Sequence, residues 1–220
     1  MNSPIIQLLV LAGIAVFLIL RLRGVLGTRE GFEKPPVPRD GPGRLEKRRD
    51  FEVIDGGPDP DIMDHAKAGS DTAQALAAMK RIDPDFGVND FLQGARGAYE
   101  MILMAFETGD LASVRPFLSD DVYDALSDVV AEREAQGLTI EATFVGISDL
   151  ALVEATLDET TKEAEMTVKF VGELTYQVRD KGGDVVEGNA NEIKRQKDIW
   201  TFARVMGTED PNWRLVAIGE

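Results

Sequence analysis

The stretch Asp198-Ile199-Trp200-Thr201-Phe202-Ala203-Arg204-Val205-Met206, followed after a turn by Asn212-Trp213-Arg214-Leu215-Val216-Ala217-Ile218, decides the fold class. It reads as two β-strands joined by Gly207-Thr208-Glu209-Asp210-Pro211, and it holds both tryptophans of the chain. Successive side chains of a strand point to opposite faces. Ile199, Thr201, Ala203 and Val205 therefore share one side, and Trp200, Phe202 and Met206 the other. A strand apolar on both faces is central in a sheet covered on both sides, or it lines an internal cavity. Two tryptophans can simply fill a core, because aromatic side chains supply large buried area anywhere. The sharper reading is an apolar pocket.

Upstream, Met166, Val168, Phe170, Leu174, Tyr176 and Val178 recur at a spacing of two, with mostly polar residues between. That is a long antiparallel strand with one buried face. Gly172 falls in the same register and relieves crowding where the sheet bends. Lys181-Gly182-Gly183 is a hairpin turn, and Val185-Val186 starts the return. Thr139 to Leu157 is rich in β-branched residues, with a bulge expected at Gly146 or Ser148. Before residue 139 the period is helical. Asp71 is read as the N-cap of a short helix with Ala75, Leu76, Met79 and Ile82 on its apolar stripe, ended by Asp83-Pro84. Asn89 is read as capping a helix to Thr108 with Phe91, Ala95, Ala98, Ile102 and Phe106 near one face. Asp110 caps a short helix to Leu118, and Ser119 caps a third whose stripe is Val122, Ala125, Leu126, Val129 and Val130. Gly109 and Gly137 read as helix stops. Helices first and an antiparallel sheet after give a segregated α+β domain. Three helices closing a bent sheet of about four strands make a cone. Its candidate pocket-lining residues are Phe170, Leu174, Tyr176, Trp200, Phe202 and Trp213.

Composition narrows the function. The 220 residues contain no cysteine and one histidine, His65, which excludes a disulfide framework, a thiolate metal site and any site needing two histidines. Formal charge is −15, unevenly spread: residues 21–49 hold 9 basic against 4 acidic residues, and residues 50–220 hold 15 against 35. So acidic a C-terminal part repels phosphate and disfavours nucleic acid. No phosphate-binding loop or cysteine nucleophile is present, and no catalytic, cofactor or metal site is expected. The acidic run Asp55 to Asp64 lacks the glycine and terminal Glu of a calcium loop.

Ile5 to Leu20 is apolar apart from Gln7 and makes about 24 Å of helix, close to the ~30 Å hydrocarbon core. No Lys or Arg precedes it and Arg21 follows at once, which fits a transmembrane signal anchor over residues 1–23 rather than a cleaved signal or transit peptide. The positive charge that follows, with Arg21, Arg23 and Arg29 nearest the membrane, places the N-terminus outside and the rest in the cytoplasm. Residues 24–69 are rich in proline and glycine, basic then acidic, and read as a disordered tether whose basic part either lies on the anionic leaflet or only enforces the topology. The short helix occupies 70–84, either packed on the domain or free to dock a partner, and the C-terminal domain 85–220.

Five segments in order carry a family resemblance: Phe106-Glu107-Thr108-Gly109-Asp110; Val168-Lys169-Phe170 with Glu173; Gly183-Asp184-Val185-Val186-Glu187-Gly188; Trp200-Thr201-Phe202-Ala203-Arg204; and Asp210-Pro211-Asn212-Trp213-Arg214-Leu215. From about Phe86 onward the chain resembles the C-terminal domain of the mitochondrial import-motor adaptors, the forty-four-kilodalton subunit of the inner-membrane translocase. It is closer still to their bacterial relatives with a short N-terminal anchor, which Arg21-Leu22-Arg23 and Leu26-Gly27-Thr28-Arg29 resemble. The resemblance implies a nuclear-transport-factor-like, cystatin-like cone with a large apolar pocket, membrane association and, in mitochondria, a scaffold for an Hsp70 chaperone. The expectation is a non-enzymatic adaptor on the bacterial inner membrane, binding a protein partner, a lipid or both. Two alternatives remain: a tether between ribosome and membrane, and a small-molecule enzyme of the cone fold, for which Tyr176, Arg204 and Asp198 are the inward ionisable groups.

Overall fold

The computed structural model describes residues 59–219. The expected anchor over 1–23, its Arg21, Arg23 and Arg29, and the tether up to residue 58 lie outside the described residues. Helices α1 (Pro60–Met63), α2 (Asp71–Ile82) and α3 (Val88–Thr108) come first, then a 3-10 segment (Leu111–Phe117) and α4 (Asp120–Gln136). Strands β1 (Thr139–Leu157), β2 (Glu163–Arg179), β3 (Val185–Val205) and β4 (Arg214–Gly219) form one antiparallel sheet in chain order. This is the expected α+β arrangement with a four-stranded antiparallel sheet.

The stretch that decided the fold class supplies the end of β3 and all of β4. Over Ile199–Ala203, β3 lies between β2 and β4. Its inner face buries Trp200 and Phe202, with Met206 buried just past its end, whereas on the outer face only Ala203 is buried, Ile199 and Thr201 are half-buried and Val205 is exposed. One covered face, not two, therefore accounts for most of its apolar residues. The alternation in β2 is cleaner: Ala164, Met166, Val168, Phe170, Gly172, Leu174 and Val178 are buried, and the residues between them are not. β1 slips register three times, between Phe144 and Gly146, Ile147 and Asp149, and Leu152 and Glu154. Such bulges bend a strand and raise its twist. They let the 19-residue β1 stay paired with β2 while α2 and α3 pack against it.

Most helix ends follow local chemistry. Gly109 and Gly137 stop α3 and α4 in the left-handed region, at φ 82° and 70°, and Ser119 Oγ accepts from Val122 N. Two starts differ from the sequence reading. The cap of α2 is Ser70, whose Oγ accepts from Ala73 N, so Asp71 is the first helical residue. The cap of α3 is not Asn89 but the carboxylate of Asp61, 27 residues earlier, which accepts from Val88 N at 2.7 Å and Asn89 N at 2.9 Å. Asp110 precedes a 3-10 turn without capping it through its side chain. Asp61 also meets Lys80 at 2.7 Å, as does Asp59. Ile62 and Ala66 are buried in the core, so the last eleven residues of the expected tether, 59–69, belong to the folded unit.

Tyr99 of α3 is the centre of the core. It is fully buried, stacked on Phe170 at 4.5 Å and 11°, and 4.8 Å from Trp200. Gly172 is required here: a Cβ on it would lie 2.4 Å from the Tyr99 hydroxyl oxygen. The crowding it relieves comes from the helix packed on the sheet rather than from the sheet's own bend.

Candidate functional site

A cleft lies between the first half of α3 and the β3–β4 end of the sheet. Its volume is about 380 Å³. Phe86, Phe91, Phe202 and Trp213 form the aromatic wall, with Phe91 4.8 Å from Trp213 and 5.9 Å from Phe202. Asp90, Phe91, Gly94, Ala95, Ala98 and Met101 supply the wall formed by α3, with Gly87 just before its first turn. Their spacing of three and four puts them on one face of the helix, along about 17 Å of its length. A single amphipathic stripe thus serves two purposes. Phe91, Ala95 and Ile102 are buried against the core, while Gly94 and Met101 remain exposed in or beside the cleft.

Charge at the cleft is one-sided. Asp85 and Asp90 line it, both are exposed, and neither makes an ion pair among the described residues. Arg204 also lines it, but its Nη2 is 2.6 Å from Asp83 Oδ2, its Nε donates to the Asp210 carbonyl at 3.2 Å, and its side chain is 11% exposed. Arg204, one of the inward ionisable groups, is thus engaged in a salt bridge that holds the end of α2 to β3. Aromatic walls, a small-residue helix face and unpaired carboxylates at the rim can accept an apolar group with positive charge beside it.

The six residues expected to line a pocket are distributed between the cleft and the interior. Phe202 and Trp213 line the cleft. Phe170, Leu174 and Trp200 are buried on the inner face of the sheet, with Phe170 and Trp200 in contact with Tyr99. The Trp200 indole N–H has no hydrogen-bond acceptor among the described residues. Tyr176 is half-buried near the β2–β3 turn and donates to Glu187 Oε1 at 2.9 Å; burial, then that bond, pushes its hydroxyl up to about 12.

Of the inward ionisable groups, Asp198 is buried, accepting from the Tyr99 hydroxyl at 2.6 Å and Gln196 Nε2 at 3.1 Å. Burial, then the bond to Asp198, raises the Tyr99 hydroxyl far above the usual phenol range. A second, smaller cleft of about 220 Å³ lies at the other end of α3, between Phe106, Glu107, Val130 and Arg133. There Arg133 lies 4.1 Å over the Phe106 ring and donates to its carbonyl. Burial raises the Glu107 carboxyl against the lowering effect of Arg133 and Lys194, and Glu187 adds to the rise.

The family model of the Tim44-like domain matches residues 72–220. The chain belongs to the Tim44-like domain family. Human mitochondrial import inner membrane translocase subunit TIM44 is 24% identical over 161 residues, covering 72% of this chain and 35% of that protein. Subunit TIM44-1 of Arabidopsis thaliana is 23% identical over 153 residues, covering 66% and 32%. The chain spans about a third of the length of these relatives. Among solved structures, the intermembrane space region of the chloroplast protein ARC6 aligns at 16% identity and a TM-score of 0.36, covering 66% of this chain and 94% of that one. A likeness of that size carries no argument.

Within the Tim44-like domain, the cleft includes residues that the sequence reading assigned only to packing. Phe91, Ala95 and Ala98 were visible as an apolar stripe, and Arg204 as an inward ionisable group. The missed signals are Gly94 and Gly97 inside a 21-residue helix, where glycine is costly, and the exposed apolar side chain of Met101.

Proposed function

We propose that the protein is a membrane-held adaptor that presents its Tim44-like domain on the cytoplasmic face of the bacterial inner membrane. In this reading residues 1–23 are the anchor, the basic segment around Arg21, Arg23 and Arg29 lies on the anionic leaflet, and the α3 cleft is the docking site. The partner is a protein: a chaperone, a translocase component or another membrane protein. The cleft itself carries the reading, since it joins exposed apolar surface to convergent aromatic groups without an ionisable group poised for catalysis at its floor. Membership of a family whose curated relatives are named as translocase subunits supports the transport setting.

The test uses the full chain, crosslinked in native membranes and affinity-purified. The expected result is a small set of membrane or chaperone proteins, absent from a control carrying residues 1–58 alone and depleted when Gly94→Leu fills the cleft. Recovery of nothing beyond the 1–58 control ends the adaptor reading. A phosphatase fused after Glu220 should be inactive; an active fusion reverses the topology.

A further inference from the structure

We propose that the occupant of the α3 cleft is one face of a cationic amphipathic helix of a partner protein. The inference rests on the reading of the cleft as a docking site and adds what docks there. Three observations converge on it.

The first is charge. Asp85 and Asp90 stand exposed along the cleft without an ion pair among the described residues, whereas Arg204, which also lines it, is neutralised by Asp83 at 2.6 Å. The field at the mouth is negative, and the chain as a whole carries −15. Such a rim attracts ammonium and guanidinium groups and repels the phosphate of an anionic lipid.

The second is shape. The α3 wall is a straight stripe at positions 90, 91, 94, 95, 98 and 101. A helix laid against it presents anchors at matching intervals of three and four. A volume of about 380 Å³ admits a few apolar side chains from one face of that helix, with its charged residues left at the rim.

The third is Gly94. Glycine in a helix interior weakens the helix, and it is retained where its missing side chain is useful. A Cβ at Gly94 would meet no atom of this chain within 4 Å, so packing within the domain gives no reason for its absence. Gly94 and Ala98 are one turn apart on the cleft wall, and small residues so placed let a second helix backbone approach closely.

The experiment measures fluorescence anisotropy of a labelled peptide of about 16 residues, with leucines on one helical face and lysines flanking them, titrated with the full chain in zwitterionic detergent. A second peptide carries glutamate in place of lysine, and short-chain phosphatidylglycerol is the competitor. The lysine peptide should bind, and added salt should weaken it. Affinity should fall about fivefold in an Asp85→Asn, Asp90→Asn double variant, the loss expected of two exposed charge contacts. Gly94→Leu should abolish binding without lowering thermal stability. Equal binding of the glutamate peptide, or an unchanged affinity in the Asp85, Asp90 double variant, overturns the proposal. If phosphatidylglycerol binds in the cleft and displaces the peptide at lower concentration than the peptide itself requires, the occupant is a lipid: the proposal falls and the docking reading stands. If neither probe binds, or Gly94→Leu changes nothing, the docking reading falls with it.

Discussion

Gly172→Ala gives the most direct mutational check on the packing. The added Cβ would sit 2.4 Å from Tyr99 Oη, 2.8 Å from Cε1 and 3.0 Å from Cζ. Neither side can yield easily. Gly172 is paired with both Ile147 and Gln196 within the sheet, and Tyr99 is held between Phe170 and Trp200. Overpacking of this kind costs about 1–3 kcal/mol. Displacing the ring also breaks the Tyr99–Asp198 bond, worth about 1.5–3 kcal/mol for a hydrogen bond to a charged acceptor. The sum, roughly 2.5–6 kcal/mol, is a large share of the ~5–15 kcal/mol that holds a domain together. At about 2–4 °C per kcal/mol for a domain of this size, it lowers the melting temperature by ~5–24 °C. Denaturant titration followed by tryptophan fluorescence measures it, since Trp200 touches the displaced ring. The Tyr99→Leu background separates the clash from a general intolerance of alanine in β2. There Gly172→Ala should cost at least about 2 kcal/mol less than in the parent, the coupling expected of residues in contact. A cost below ~0.5 kcal/mol in the parent, or equal costs in both backgrounds, refutes the account of Tyr99 as the immovable centre of the core.

The remaining predictions concern charge. In Asp61 burial opposes ionisation, but bonds from Lys80 and from the Val88 and Asn89 N–H groups prevail and hold its carboxyl at about 2. A depressed carboxylate stabilises the fold above its unfolded pKa and loses that contribution as pH falls through the folded value. Asp61→Asn keeps an oxygen for the two N–H groups but loses the charge facing Lys80 and the start of α3, and should therefore cost about 1 kcal/mol at pH 7, with its deficit against the parent shrinking between about pH 4 and pH 2; a pH-independent deficit in denaturant titrations contradicts this. Glu107 has the opposite sign, because a carboxyl raised by burial destabilises the fold once it ionises. Glu107→Gln should raise the melting temperature at pH 7 and leave it unchanged at pH 4; a drop at pH 7 contradicts the assignment. Arg204→Met keeps the stem but leaves Asp83 without its cation, and should cost about 1–3 kcal/mol in denaturant titration; a neutral effect removes the pair from the account.

Legibility in the sequence followed the range of the interactions. Ser119, Gly109 and Gly137 act on atoms a few residues away, so their roles can be read locally. The cap of α3 cannot, because Asp61 reaches it through the fold, and the nearby Asn89 is the residue local rules select. The bulges of β1 were visible as one glycine–serine segment, but the slip at Leu152–Glu154 has no breaker to announce it. Strand alternation separated the inner face of β2 from its outer face. It could not separate core from cleft, because Trp200 and Phe202 lie on the same face of β3 and differ only in what α3 places over them. Tyr99 covers the first and Phe91 the second; both are buried, and the cleft opens beside Phe202 where α3 carries Gly94 and Ala98. The one-dimensional sign of that difference was Gly94 beside Ala95 and Ala98 in the first half of a helix whose second half carries Ile102, Leu103 and Phe106.

A photoreactive amino acid placed at Met101, on the exposed edge of the cleft, tests docking most directly in the full chain within native membranes. The same probe at Lys169, on the outer face of the sheet, is the control. The account predicts a discrete protein adduct from position 101 that is absent from position 169 and disappears in Gly94→Leu. Equal adducts from both positions, or only lipid adducts from position 101, would contradict it.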